Sequence, residues 1–223
     1  MQITSKIDNT FLEKIKEFEY AINRQSLILL VKPHNDVFLD NKVRKIFEEN
    51  IYKVINKGLL NLEIPYIDNE SWLDLMYGLK SKFPNLNLGS ASIKNKKAID
   101  DSLKIGLNFS MMKSWDKDLY IYSRKKNYLL IPGLNKLDQL NEAKLYNCKI
   151  IKIYPVITKD IFLHINQFRK TSFIGAGGIS ISDLSKYQKQ GYKGIVIGEK
   201  GYSKGFFDQK IFKWLLSNSD KNK

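Results

Sequence analysis

The sequence predicts one closed α/β barrel preceded by an extra helix, and three observations predict it. Short β-rich runs alternate with longer amphipathic segments along the whole chain. Such alternation calls for a parallel sheet, because parallel strands need crossover connections. Eight strand–segment units fit within the 223 residues, an ordinary length for a single barrel with one core. No linker, repeat or low-complexity stretch divides the chain, and no G-x-G-x-x-G follows the first strand, which argues against a doubly wound open sheet. The expectation is a (β/α)8 TIM barrel over residues 1–223 as one domain.

The Phe11–Ile22 pattern predicts the extra helix, within an N-terminal segment spanning 1–24. Ser26–Lys32 is the first strand, followed by a helix at Asn41–Asn56. Leu60–Tyr66 pairs with a helix at Ser71–Lys82, and Leu86–Ile93 with one at Asn95–Leu103. Leu107–Met111 precedes a helix at Trp115–Arg124, and Tyr128–Gly133 one at Lys136–Tyr146. Lys149–Val156 leads into Lys159–Phe168, and Ser172–Ile179 into Ser182–Lys189. Gly194–Gly198 leads into a last helix at Phe206–Leu216, and Ser217–Lys223 reads as a disordered tail.

Composition narrows the chemistry. The net charge is +14 and the pI about 9.6, but the lysines are spread along the chain rather than gathered in a patch. This predicts a solvated basic surface that favours a small anionic ligand, not nucleic acid. One cysteine, Cys148, excludes an internal disulfide framework and suits a reducing cytoplasm. The Met1–Lys6 segment has no apolar signal region, and no apolar run is long enough to span a bilayer. With two histidines, His34 and His164, and no Cys/His cluster, no metal site and no cofactor are expected. Met111 and Met112 read as core.

Lys152 stands alone in the apolar run Ile150-Ile151-Lys152-Ile153-Tyr154-Pro155. Side chains of a barrel strand alternate between the interior and the helix layer. With Ile151 and Ile153 in the helix layer, Lys152 and Tyr154 face inward. With Leu62 and Ile64 in the helix layer, Glu63 faces inward as well. Burial lowers a lysine pKa, and a neutral amine is a nucleophile that forms a Schiff base with a carbonyl. The plain alternative is a lysine that snorkels past its neighbours, or a buried structural ion pair. Such pairs add little net stability, so the functional reading is preferred. Gly175-Ala176-Gly177-Gly178 and Gly198-Glu199-Lys200-Gly201 close the last two strands, where barrels commonly hold an anion against backbone N–H groups. Glycine at such turns also has a purely steric explanation.

At these residues the chain resembles the 2-keto-3-deoxy-6-phosphogluconate / 4-hydroxy-2-oxoglutarate aldolases, a family of class I pyruvate aldolases. Five segments between Leu27 and Lys200 carry the resemblance: Leu62-Glu63-Ile64, Leu88-Gly89-Ser90-Ala91-Ser92, Ile131-Pro132-Gly133, Lys152-Ile153-Tyr154-Pro155 and Gly177-Gly178-Ile179. The resemblance implies that Lys152 is the Schiff-base lysine and Glu63 the general acid/base. It implies substrate-binding roles for Lys32, Ser92, Pro132, Gly177, Gly178, Gly198 and Lys200. The expected substrate is a small 2-keto acid, and the expected assembly a homotrimer. The chain departs from the family pattern at Ile67, where an arginine is common, at Met111-Met112-Lys113, at Ala176 and Glu199, and at Val156-Ile157. These departures touch substrate binding more than the Lys/Glu core. The alternative reading is a barrel of other chemistry, or a non-catalytic one, that binds a small anion.

Overall fold

The computed structural model describes residues 9–156, 168 and 170–218. Helix α1 (Asn9–Arg24) precedes strand β1 (Leu27–Leu30), and a 3-10 turn (Asn35–Phe38) leads to α2 (Asn41–Asn56). Then come β2 (Asn61–Pro65), α3 (Glu70–Lys82), β3 (Asn87–Ile93), α4 (Lys96–Ile105), β4 (Phe109–Met112) and α5 (Lys117–Lys125). The fifth barrel strand is in two pieces, β5 (Leu130–Ile131) and β6 (Gly133–Leu134), followed by α6 (Leu137–Leu145) and β7 (Ile150–Ile153). After β8 (Ser172–Ala176), the 3-10 turn Ile181–Asp183 runs into α7 (Leu184–Lys189), and β9 (Gly194–Ile197) ends the barrel.

The strands are parallel, in the order β5-β4-β3-β2-β1-β9-β8-β7-β6. β5 and β6 sit at opposite ends of that order yet adjoin in sequence, so the sheet closes on itself through the interrupted strand. The break is at Pro132, which has no N–H to give a ladder. Its carbonyl still accepts from the Lys152 N–H at 2.8 Å, and Gly133 pairs with Lys152 in register. The barrel therefore has eight strand positions, as expected from the sequence.

Alternation sorts the core into two shells. Leu62, Ile64, Ile151 and Ile153 pack with helix residues such as Trp72, Leu75 and Leu140. Ile28, Phe109, Met111, Ile131, Ile150 and Ile174 fill the interior. Helix α1 seals the bottom of that interior. Its buried Phe11, Ile15, Phe18 and Ile22 recur at three- and four-residue steps along one face. The Phe18 ring meets Phe109 edge-on, with centroids 4.8 Å apart.

Helix starts follow from their caps. Asp40, Asn69, Asn95 and Asp116 each accept backbone N–H bonds from the first turn of the helix they precede. This moves two predicted starts inward, because Asn95 and Trp115-Asp116 lie outside the helices they introduce. Two further expectations are corrected. Phe206 and Phe207 do not begin the last helix but form β11, which pairs antiparallel with β10 (Tyr202–Ser203). Lys204 and Gly205 supply the positive φ values (52° and 84°) that a two-residue hairpin turn needs. The final helix α8 (Gln209–Asn218) takes in Ser217 and Asn218, the first two residues of the expected tail. The predicted Lys159–Phe168 helix and residues 219–223 fall outside the described residues, apart from Phe168, which is not helical.

Gly133 permits the closure of the barrel beside the site. A Cβ there would stand 2.5 Å from the Met112 carbonyl oxygen and 2.6 Å from that of Lys113. Both obstacles are main chain, so neither moves without opening the seam between β4 and β6. Gly133→Ala is expected to cost about 1–3 kcal/mol or more, read as a lowered denaturant midpoint; an unchanged midpoint contradicts this packing.

Candidate active site

A cavity of about 590 Å³ opens at the C-terminal ends of the strands. That is the face of a parallel barrel where strand ends and loops converge, and the volume suits a small organic acid. Glu63 and Lys152 both line it. In the circular strand order, the path β2-β1-β9-β8-β7 and the path β2-β3-β4-β5/β6-β7 each take four steps. Glu63 on β2 and Lys152 on β7 therefore face one another across the barrel.

Both groups are buried, with Glu63 1% and Lys152 7% exposed. The ion pairs among the described residues lie elsewhere, between more exposed side chains, and Glu63 and Lys152 do not close to direct contact. Glu63 Oε2 is buried and has no hydrogen-bond partner among the described residues. A buried pair kept for architecture is normally saturated with hydrogen bonds. This one leaves an acceptor unpartnered on a residue that lines a ligand-sized space.

Burial dominates the electrostatics of both. It pushes the Glu63 carboxyl up from 4.5 to about 7, opposed by the Lys152 ammonium. It pushes Lys152 down from 10.5, opposed by the Glu63 carboxylate. One site thus holds a carboxyl able to give or take a proton near neutrality and an amine more readily freed of its proton than surface lysines. The carboxyl has a consequence for stability. Between pH 4.5 and about 7 the unfolded chain has released this proton while the folded chain keeps it, so its contribution weakens stability as pH rises through that window. The melting temperature of the wild type is expected to fall relative to Glu63→Gln from pH 4.5 to 7; parallel curves contradict a raised pKa.

The cavity brings in most of the residues singled out from the sequence. Ser92, Gly177, Gly178, Gly198 and Lys200 line it, together with Tyr154 and Glu199. Ser92 sits where the β3–β4 register shifts, with φ 61°, an irregularity that breaks the strand's alternation and lets both Ala91 and Ser92 line the cavity. Gly177 (φ 100°) and Gly178 (φ 70°) adopt backbone conformations that favour glycine. A Cβ on Gly177 would also press on Pro155 at 3.1 Å.

Two expected contacts are placed elsewhere. Lys32 is exposed and lines a separate cavity of about 440 Å³ with His34 and Tyr202. β1 stops at Leu30, so Lys32, expected at the site from the resemblance, lies beyond the strand end. Pro132 is buried and is not among the cavity-lining residues; it holds the Lys152 backbone through its carbonyl. Lys113, by contrast, lines the cavity and was not singled out as a ligand contact. Like Lys32 it is exposed and lies past the end of its strand, where two-residue alternation no longer places a side chain. His164 lies outside the described residues. Among the described residues no His/Cys/Asp/Glu cluster is arranged to hold a metal ion, and no helix is long and apolar enough to cross a membrane.

Fold and cavity define a parallel α/β barrel with an interior lysine opposite an interior carboxyl. The solved structures of the same fold include 2-keto-3-deoxy-6-phosphogluconate aldolases, in agreement with the resemblance carried by the sequence motifs. The enzyme from Zymomonas mobilis ZM4, solved with 3-phosphoglycerate, is 17% identical with a TM-score of 0.73, covering 92% of this chain and 95% of that one. The aldolase from Legionella pneumophila, with pyruvate captured as a covalent carbinolamine, is 16% identical with a TM-score of 0.71, covering 89% and 96%. A thiamine phosphate pyrophosphorylase from Pyrococcus furiosus also shares the fold, at 14% identity and a TM-score of 0.63, covering 90% and 98%. No family model and no curated protein matches the sequence. At these identities the likeness shows the fold, and one fold hosts several chemistries.

Proposed function

We propose that the protein is a class I aldolase that makes or breaks a carbon–carbon bond to pyruvate through a Schiff base on Lys152. The observation that carries this reading is the Lys152–Glu63 pair: buried, mutually perturbed, short of direct contact, and open to a cavity of substrate size. The carbinolamine captured in the Legionella pneumophila structure supports it by fold. The amine of Lys152 adds to the C2 carbonyl of pyruvate, giving a carbinolamine. Glu63 gives a proton to the departing hydroxyl, which leaves as water, and an iminium forms. Glu63, now a carboxylate, takes a proton from C3, and the electron pair passes into the iminium to give an enamine. C3 then attacks an aldehyde; cleavage is the reverse, and hydrolysis of the iminium frees Lys152.

The substrate in this reading is a 2-keto-3-deoxy sugar acid, its phosphate, or 4-hydroxy-2-oxoglutarate. Gly177, Gly178, Gly198 and Lys200 receive its far end. The proposal includes a homotrimer, for which exposed Leu39, Ile46 and Phe206 offer apolar surface, and a reducing cytoplasm, which suits the buried free thiol of Cys148. The half-reaction tests the chemistry without the aldehyde being known. In D2O the pyruvate methyl signal should disappear from the proton NMR spectrum at a rate proportional to protein. Retention of that signal with folded protein removes the aldolase reading and leaves a barrel that binds, or acts otherwise on, a small anion.

A further inference from the structure

The aldolase reading leaves one requirement unassigned: a 2-keto acid carries a carboxylate beside its reacting carbonyl, and a largely apolar interior needs a cation to hold it. Ile67, which stands where an arginine is common among the resembling aldolases, is half-buried against the helix-layer core and is not among the cavity-lining residues. Apart from Lys152, the cations lining the cavity among the described residues are Lys113 and Lys200. Lys200 directly follows Glu199, which also lines the cavity, and its charge acts on Asp183. The β9 side is thus close to neutral overall. Lys113 has no ion-pair partner among the described residues.

The strand order gives these charges an arrangement. β4 lies two steps from β2 and two from β7, midway between Glu63 and Lys152; β9 lies midway on the other side. Lys113, just after β4, therefore faces the Glu199–Lys200 turn across the cavity, with Ser92 on the neighbouring strand. The Lys113 main chain is held against β6 by the close approach of Gly133, so the base of its side chain is fixed relative to the Lys152 strand. We propose that Lys113 is the specificity-determining residue that anchors the substrate carboxylate, with the Ser92 hydroxyl as a second donor. A 2-keto acid then lies with C1 toward β4, C2 at Lys152, and the remainder of the chain toward β8 and β9.

The proposal rests on the aldolase reading, and its test separates the two. Pyruvate and methyl pyruvate, which lacks the carboxylate charge, are titrated by ligand-observed NMR into full-length Lys152→Met, where no iminium forms. The same titrations follow on Lys152→Met carrying Lys113→Met or Lys113→Arg. Pyruvate should bind roughly tenfold more weakly with Lys113→Met, methyl pyruvate should bind equally to both, and Lys113→Arg should recover most of the pyruvate affinity. Equal pyruvate affinity with and without Lys113, an equal loss for both ligands, or no saturable pyruvate binding overturns the assignment of Lys113. The wild-type deuterium exchange reports separately on the Schiff-base chemistry.

Discussion

Lys152→Met is expected to reduce deuterium exchange into pyruvate to the uncatalysed background while leaving the protein at least as stable as the wild type. The first outcome follows from chemistry: without the amine there is no iminium, and neither Glu63 nor the cavity can supply the missing electron sink. The second follows from burial. Lys152 is 7% exposed and its ammonium is destabilised by desolvation. A methionine of similar length removes that cost, and the remaining Glu63 carboxyl, already raised to about 7, takes up a proton instead of standing as an isolated charge. A structural ion pair predicts the opposite, a loss of about 3–5 kcal/mol on deleting one partner. Activity and melting temperature measured on one preparation decide between the two roles, and a variant that is both inactive and strongly destabilised favours the structural one.

Glu63→Gln should lower the exchange rate by about 10²–10⁴-fold, the usual contribution of a positioned acid/base, without preventing adduct formation at Lys152. The pH dependence carries a sign. The Glu63 carboxylate raises the Lys152 pKa against the larger effect of burial, so its removal lets the lysine pKa fall further. Trapping of Lys152 by pyruvate and a hydride reductant should therefore persist to lower pH in Glu63→Gln than in the wild type. An unchanged pH profile of trapping means that the two groups do not share a field, and a shift toward higher pH contradicts the sign of their coupling. An unchanged exchange rate means that the proton passes through another residue.

How far the site was legible from sequence depended on whether period-two alternation persisted to the residue in question. Glu63 and Lys152 sit within strands, each flanked by residues of the helix-layer core, and there the alternation alone placed them inward. Lys32 is expected at the site from the resemblance alone, and it lies beyond the end of β1 beside a separate cavity. Pro132 lies in a strand whose pairing changes partners, from β4 on one side of the break to β7 on the other. Only the closed sheet shows that its carbonyl serves the Lys152 backbone. The barrel itself was readable because each unit repeats one signal, whereas the Tyr202–Phe207 hairpin rests on a Lys-Gly turn within an aromatic segment that a helical period also fits. Lys113 likewise lies past the end of β4. The role proposed for it depends, moreover, on a charge balance between opposite sides of the cavity, and a strand read singly carries no information about the strand facing it.

The central claim is that Lys152 forms an iminium with pyruvate, and one measurement addresses it directly. The wild-type protein is incubated with pyruvate and sodium borohydride, digested, and mapped by peptide mass spectrometry, with Lys152→Met treated in parallel. The account predicts a reduced pyruvyl adduct on the peptide containing Lys152, absent from the variant and not matched on surface lysines. Folded wild-type protein without an adduct at Lys152, or with adducts spread evenly over its lysines, contradicts it.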